Sequence, residues 1–287
     1  QIEATRQIHQ SLFHLGSDEG FQSDVEIPKV CAWLEAQALE FPVAVLSAFR
    51  IMATEQPHKT ALTAAMIAHL VLKPGTISAE SGKASLGMRV MDHLIHMFGQ
   101  DVDAHYWRNA RLVLHVFVAL APLGVVSSAS LRRTIKAFVD VLSSDGVSRD
   151  VADPAADCVI EAMCRGGTDL IQPEPGALEA LPSAREEMDA IVDGITLYGS
   201  QRSNAAMQLI SPFRLDEPHD FLDQDGFMDR VRALQSLKEH GYVRPAFLPS
   251  ACDLLSVDVS PATSTAPAEQ RTAHLPDLHV APIRSTA

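Results

Sequence analysis

Apolar residues recur at helical spacing along nearly the whole chain, and no segment alternates apolar and polar side chains as a half-buried strand would. Proline and glycine mark most of the breaks between these segments, as Pro42 does before one apolar stretch and Gly16 after another. Short breaks of this kind place successive helices antiparallel. The spacing therefore predicts an all-α protein.

About ten helices of roughly 12–20 residues are expected, with ends set by caps, prolines and glycines. They cover approximately residues 2–15, 25–39, 42–55, 59–72, 78–98, 103–121, 129–142, 154–163, 183–202 and 221–240, with a shorter one at 249–255. Their rhythm of about 35–45 residues per pair favours a right-handed array of antiparallel helix pairs, a HEAT/ARM-like repeat superhelix. A compact all-α bundle is the alternative.

The helical pattern stops near the C-terminal end. We expect residues 1–256 to form the helical-repeat domain and residues 257–287, rich in Pro, Ser and Thr, to be an extended tail, linker or surface strap. The sequence does not begin with Met and carries no signal-peptide pattern, which is typical of a fragment or a processed product.

Charge and hydropathy exclude several classes of partner. The formal net charge is -13, and the Lys/Arg cluster at Leu131–Arg133 is too small for a nucleic-acid-binding patch, so direct tight binding of RNA or DNA is not expected. The most apolar run, Leu112–Val126, contains His115 and Pro122 and is too short to cross a bilayer, which predicts a buried helix and no membrane partner. The four cysteines form no C-x-x-C pair and are expected as buried thiols in a reducing compartment.

Candidate chemistry is sparse. His93 and His96 lie i, i+3 beside Asp92, the spacing of two metal ligands on one helix face, but their neighbours are ordinary packing residues. The sequence contains no G-x-S-x-G elbow, no H-E-x-x-H and no phosphate-binding loop. No catalytic residue, metal or cofactor is therefore predicted, and an all-α enzyme is a remote alternative.

Two segments are candidates for protein interaction. Two aromatic and two arginine side chains are grouped at the start of a very apolar helix: Tyr106, Trp107, Arg108 and Arg111. This grouping suits either a partner contact or an inward-facing tryptophan with solvated arginines. Tyr106, Trp107 and Arg108 are candidate interaction residues.

The second segment, "SAREEMDAIVDGITLYGSQR" (Ser183–Arg202), holds four carboxylates beside an apolar stripe. The stripe comprises Met188, Ile191, Val192, Ile195 and Tyr198, and the carboxylates are Glu186, Glu187, Asp189 and Asp193. We interpret the carboxylates as the hydrated face of a helix that Ser183 and Glu186 cap, because nothing nearby would desolvate one of them for catalysis. Glu186, Asp189 and Asp193 could dock a basic segment of a partner.

The chain resembles a known family over residues 12–283. The resemblance is carried by Phe41–Leu70, by Ala110–Leu142, by "ADCVIEAMCRGGTDLI" with the acidic helix that closes in Tyr198 and Arg202, and by "DFLDQDGFMDRVRALQSLKEHGYVRPAFLPSACDLL" with "LPDLHVAPI". These stretches are similar to the N-terminal helical-repeat domain of the large subunits of nuclear cap-binding complexes, in the class first defined as the middle domain of translation initiation factor 4 gamma.

The resemblance implies a non-enzymatic scaffold in the nucleus, with shuttling to the cytoplasm as an option. Its expected partners are a small RNA-recognition-motif subunit that binds the 7-methylguanosine cap, gripped mainly by later domains, and RNA processing and export factors. Capped RNA would be contacted only indirectly. The alternative is a related helical-repeat scaffold of translation initiation or nonsense-mediated decay that binds an RNA helicase.

Overall fold

The computed structural model describes residues 2–17, 19–73, 84–144, 147–172, 181–202, 226–255 and 271–278. Ten α-helices lie in these ranges, and they contain no strand longer than an isolated bridge. The helices are α1 Ile2–His14, α2 Ser23–Glu40, α3 Pro42–Glu55, α4 Thr60–Leu72, α5 Leu86–Asp103, α6 Trp107–Leu120, α7 Ser128–Leu142, α8 Arg149–Gly166, α9 Leu181–Gln201 and α10 Phe227–Glu239. Short 3-10 turns follow at Pro57–Lys59, Ala121–Leu123, Gly167–Leu170 and Cys252–Leu254.

Helices close in sequence are also neighbours in space. α1 and α2 pack on α3, α4 packs on α5 and α6, α7 packs on α8 and α9, and both α8 and α9 pack on α10. Each helix thus covers the apolar face of helices one or two positions away along the chain, as a stacked array requires. The all-α helical-repeat array predicted from the rhythm of the sequence is confirmed.

Two helices form the centre of the array. In α4 every residue except His69 is buried, and α6 buries a continuous run from Leu112 to Val118. Gly87 allows α5 to lie directly on α4, because a Cβ there would stand 2.6 Å from the backbone nitrogen of Val71. The apolar run Leu112–Val126 is therefore a core helix and its following turn, as the sequence predicts.

Several helix ends lie where local signals place them. α3 begins at Pro42, α1 is followed by Gly16 at φ +74°, and α8 ends at Gly166. Gly167 then takes φ +51°, and a Cβ at that position would stand 2.6 Å from the carbonyl oxygen of Tyr242. Glycine is required at this position for two reasons: its backbone has a positive φ, and the loop that follows α10 approaches it too closely for a side chain.

Other ends differ from the prediction. α5 passes through Gly99, a half-exposed position with open space around it, and ends at Asp103, five residues beyond the predicted end. α6 begins at Trp107 instead of near residue 103. α8 begins at Arg149, because the side chain of Ser148 accepts a hydrogen bond from the amide of Asp150 and starts the helix ahead of Pro154.

The remaining differences involve caps. α7 begins at Ser128, one residue before the predicted start, and Ser127 caps it by accepting a hydrogen bond from the amide of Ser130. α9 begins at Leu181, which places Ser183 inside the helix instead of at its cap. The expected helix at residues 249–255 is only the 3-10 turn Cys252–Leu254. The predicted starts near residues 78 and 221 lie outside the described residues.

A short part of the C-terminal segment lies against the body. Ala273 forms a parallel bridge with Val126 and exchanges backbone hydrogen bonds with the residues on either side of it. The amide of Leu275 donates to the side chain of Ser130 at 3.2 Å, and Leu275 itself is buried. Residues 271–278 therefore extend along the start of α7, while the domain boundary at residue 256 stays a prediction.

Candidate functional site

The acidic helix α9 is held to the rest of the protein through its carboxylates. Arg132 of α7, only 1% exposed, donates from Nε to Glu187 Oε2 at 2.8 Å and from Nη1 to the carbonyl oxygen of Leu170 at 2.7 Å. A buried guanidinium needs such partners, because a buried charge without hydrogen-bonding partners is strongly destabilising. Glu187 is thus a structural anchor.

Two further carboxylates of α9 also have partners within the chain. Tyr242 donates its hydroxyl to Asp189 Oδ1 at 2.6 Å, and burial together with this contact raises the pKa of Tyr242. Lys238 of α10 donates to Asp193 Oδ1 at 2.6 Å, although the Asp193 side chain stays 70% exposed. The interpretation of these carboxylates as a simple hydrated face is corrected: Glu186 is exposed as predicted, while Asp189 and Asp193 join α9 to α10 and its following turn.

The apolar stripe of α9 faces the core as predicted. Met188, Ile191, Val192 and Ile195 are buried, and Tyr198 is half-buried. Between α9 and α10 lies an open groove of about 510 Å³, whose walls carry both signs of charge. They are formed by Arg185, Asp189, Val192, Asp193, Thr196, Gln235, Lys238 and Glu239. A mixed wall of this kind suits a polar protein contact better than a small apolar ligand.

A hub at Asp153 explains why α9 closes in Tyr and Arg. Asp153 of α8 accepts hydrogen bonds from the Tyr198 hydroxyl at 2.6 Å and from Arg202 Nε and Nη2 at 2.9 and 2.8 Å. Burial alone would raise the pKa of Asp153, but the hydrogen bonds from Arg202 and Tyr198 outweigh it and hold that pKa below its usual value. Arg202 also covers the ring of Phe227 in α10, with 4.4 Å between its guanidinium carbon and the ring centroid. These residues join three helices.

The aromatic segment at the start of α6 divides into two roles. Trp107 is half-buried and packs edge-on against Phe138 of α7, with 6.1 Å between ring centroids. Tyr106 is 64% exposed, and Arg108 points outward with Nη1 3.6 Å from a carboxylate oxygen of Glu55. The structure therefore brings Tyr106 and Arg108 to one exposed helix start, and Trp107 belongs to the packing.

The two histidines of α5 have ordinary surroundings. His96 is exposed, with Nε2 2.9 Å from Gln100 Nε2, and His93 is half-buried. Burial, with the charges of Arg50 and His96, lowers the pKa of His93. Within the part of the chain that the structure describes, no three His, Cys, Asp or Glu side chains are grouped to hold a metal ion.

The Lys/Arg cluster in the sequence does not form a basic surface. Arg132 is buried and paired as described, while Arg133 is exposed near Asp277, with 4.0 Å between their charged atoms. A polyanion would therefore find one exposed arginine here instead of a stripe. Among the described helices, none is long and apolar enough to cross a bilayer.

Sequence reasoning missed the residues that connect distant helices. Arg132, Asp153 and Tyr242 make their main contacts with residues about 40–55 positions away, as the hydrogen bonds above specify, and no local pattern marks such pairs. The sequence signal for Arg132 is its place between Leu131 and Ile135, on the buried side of an amphipathic helix. No family model matches the chain.

Proposed function

We propose that this chain is a non-enzymatic helical-repeat scaffold of nuclear RNA metabolism, the first repeat domain of the large subunit of a nuclear cap-binding complex. In this role it works beside a small RNA-recognition-motif subunit that binds the 7-methylguanosine cap. It supports that subunit within a heterodimer and recruits RNA processing and export factors. Capped RNA is then held by the complex and only indirectly by this chain.

One architectural observation carries the proposal. Two of the four sequence stretches by which the chain resembles the cap-binding family supply residues to the contacts that join α8, α9 and α10. Tyr198 and Arg202 meet at Asp153, and the loop with the "RP" turn is seated on α8 through Gly167. Residues that fix the relative placement of helices are those that a shared array would need, which supports the proposal.

The distribution of charge and exposed side chains supports a scaffold. The net charge of -13 opposes direct contact with the RNA backbone. Tyrosine and arginine are the residue types that most often carry binding energy in protein interfaces, and Tyr106 and Arg108 stand exposed at one helix start. Glu186, with the outward part of the α9–α10 groove, is the second proposed contact.

Retention on immobilised cap analogue tests the proposal in the source cells. The natural protein is tagged at its own locus, and a nuclear extract is passed over a 7-methylguanosine triphosphate resin. We expect retention together with an RNA-recognition-motif protein, elution by free cap analogue, and no elution by unmethylated GTP as the matched control. Absence of retention would refute the cap-complex assignment.

A second outcome favours the alternative scaffold. Capture of an RNA helicase by the tagged protein, without retention on the cap resin, would assign it to translation initiation or nonsense-mediated decay. If the protein is retained on the cap resin, the double variant Tyr106→Ala, Arg108→Ala tests whether these two residues contact the processing factors. It should leave cap retention unchanged and reduce recovery of processing factors several-fold, about tenfold for a contact worth about 1.4 kcal/mol.

A further inference from the structure

A small recess lies where α6, α8 and the loop after α10 meet. Its volume is about 180 Å³. Its walls include the turn before α4, the middle of α6 and the loop of residues 244–251, and the side chains that matter for charge are His58, His115, Arg165 and Arg244. Gly167 allows this loop to approach α8, since the Cβ of Arg244 would stand only 3.0 Å from a Cβ at position 167. The recess is thus built by the same contact that seats the loop.

The two arginines of the recess have spare donors. Arg165 is half-buried and makes no hydrogen bond or ion pair with the residues that the structure describes. Among the described residues, Arg244 has a single long ion-pair contact, 4.0 Å from Nη1 to Asp169 Oδ2, and its side chain is 28% exposed. Each guanidinium carries five N–H donors in a planar fork that matches the oxygens of a carboxylate or a phosphate. Two such forks on one small recess favour an oxyanion.

A buried histidine adds an unsatisfied group. His115 is 2% exposed, its Nδ1 has no partner among the described residues, and its Nε2 lies 3.1 Å from Glu161 Oε2 without the alignment of a hydrogen bond. Burial lowers the pKa of His115, so the ring is neutral near pH 7 and offers one donor and one acceptor. Glu161 is already engaged by Arg111 at 2.9 Å, which offsets its repulsion of an anion.

The size of the recess limits its occupant. Small-molecule sites usually have about 300–1,000 Å³, so this recess suits the end of one side chain better than a nucleotide. The loop that supplies Arg244 also presents Val243 and Phe247, 64% and 83% exposed, where a partner's apolar side chain could rest. A phosphate monoester has enough acceptor oxygens for two guanidiniums and His58, and in its monoprotonated form also a hydrogen to donate to His115.

We propose that this recess binds a phosphorylated serine or threonine side chain of a partner protein, with Arg165 and Arg244 on the phosphate oxygens and an apolar neighbour of the phosphoresidue against Phe247. The inference rests on the proposed scaffold role, since it names the chemistry of a recruited partner. It does not depend on cap retention, which the small subunit supplies.

The test uses nuclear magnetic resonance of the full 287-residue chain with defined probes. The probes are the capped tetrapeptide Ala-phosphoserine-Leu-Ala, the same peptide with serine or glutamate in the second position, and inorganic phosphate at matched ionic strength. We expect the phosphopeptide to shift the Nε–Hε signals of Arg165 and Arg244 saturably. Arg165→Gln or Arg244→Gln should weaken its binding about tenfold or more, as loss of a charge-assisted hydrogen bond requires.

The matched control is Arg133→Gln, an exposed arginine outside the recess, which should leave the affinity unchanged. Equal binding of the glutamate or serine peptide would overturn the assignment of a phosphate ligand. Binding of inorganic phosphate without binding of the phosphopeptide would overturn the assignment of a partner protein. Unchanged affinity in both recess variants would overturn the site. Retention of the Arg165→Gln variant on the cap resin separates the two proposals. If phosphopeptide binding fails in the resonance experiment while the variant is still retained on the cap resin, only the phosphate site in the recess is refuted.

Discussion

The buried Arg132–Glu187 pair gives the sharpest test of how α9 is attached to α7. Glu187→Gln keeps the size of the side chain and removes the charge that faces Arg132 Nε at 2.8 Å. A hydrogen bond to a charged group contributes about 1.5–3 kcal/mol, and the 45% exposure of Glu187 lets water replace part of it. We therefore expect the free energy of unfolding to fall by about 1–2 kcal/mol.

Arg132→Met should cost more, because at least two hydrogen bonds are lost together. It also removes the Nη1 donor from the Leu170 carbonyl oxygen, and an unsatisfied buried acceptor costs about 1–3 kcal/mol. We expect a loss of about 2–4 kcal/mol for this variant. The double variant should cost less than the sum of the single ones by about 1 kcal/mol, the coupling expected for residues in direct contact.

Urea unfolding followed by far-ultraviolet circular dichroism measures all three variants. Lys136→Met is the matched control on the same helix, since Lys136 forms only an exposed pair with Asp140, and it should change the stability by less than about 0.5 kcal/mol. Strict additivity of the two single variants, or a loss below 0.5 kcal/mol in both, would refute the argument that this pair holds α9 to α7.

Three further predictions concern other parts of the array. Gly167→Ala should destabilise the protein by about 1–3 kcal/mol, measured by urea unfolding, because a Cβ there meets the Tyr242 carbonyl oxygen and φ is +51°. Burial lowers the pKa of His115 below the usual histidine value of about 6.5, so the unfolded chain binds more protons than the folded one. Stability should therefore fall as the pH drops through about 6.5, by up to about 1.4 kcal/mol per pH unit, and His115→Asn should flatten this dependence in thermal melts. Burial raises the pKa of the Cys158 thiol to about 12, so in the native protein a thiol reagent should modify exposed Cys252 and leave Cys158 unmodified until unfolding, as peptide mass spectrometry would show.

The fold was predictable wherever a local signal has a single physical solution. Pro42 fixes its own φ and suits a first helical turn, and Gly16 takes the left-handed conformation that other residues avoid. The stripe on α9 was predictable for the same reason, since its spacing leaves only one face to bury. The start of α8 was predicted too late, at Pro154, because a proline indicates only approximately where a helix begins. Ser148 caps the helix earlier in the sequence.

The long-range contacts could not be predicted, because they depend on which helices meet. Arg132 lies on the buried side of an amphipathic helix, but arginine is rarely buried, and only contacts such as that with Glu187 explain its 1% exposure. Asp189 and Asp193 have the sequence pattern of solvated carboxylates, and only the packing of the helices shows that Tyr242 and Lys238 contact them. Periodicity settles which side of a helix is buried, and only the packing of the array settles which charge meets which.

The placement of the arginines explains how an acidic chain can still select an anion. Arg132, Arg202 and Arg230 are paired with carboxylates inside the array, at 2.8, 2.8 and 3.0 Å, so their charge does not project toward a partner. Arg165 and Arg244 keep donors available in the recess. A nucleic acid approaching the recess carries many phosphates against a net charge of -13, whereas a phosphopeptide carries one. Long-range repulsion therefore excludes the polyanion, and the short-range donors of the recess admit the single phosphate.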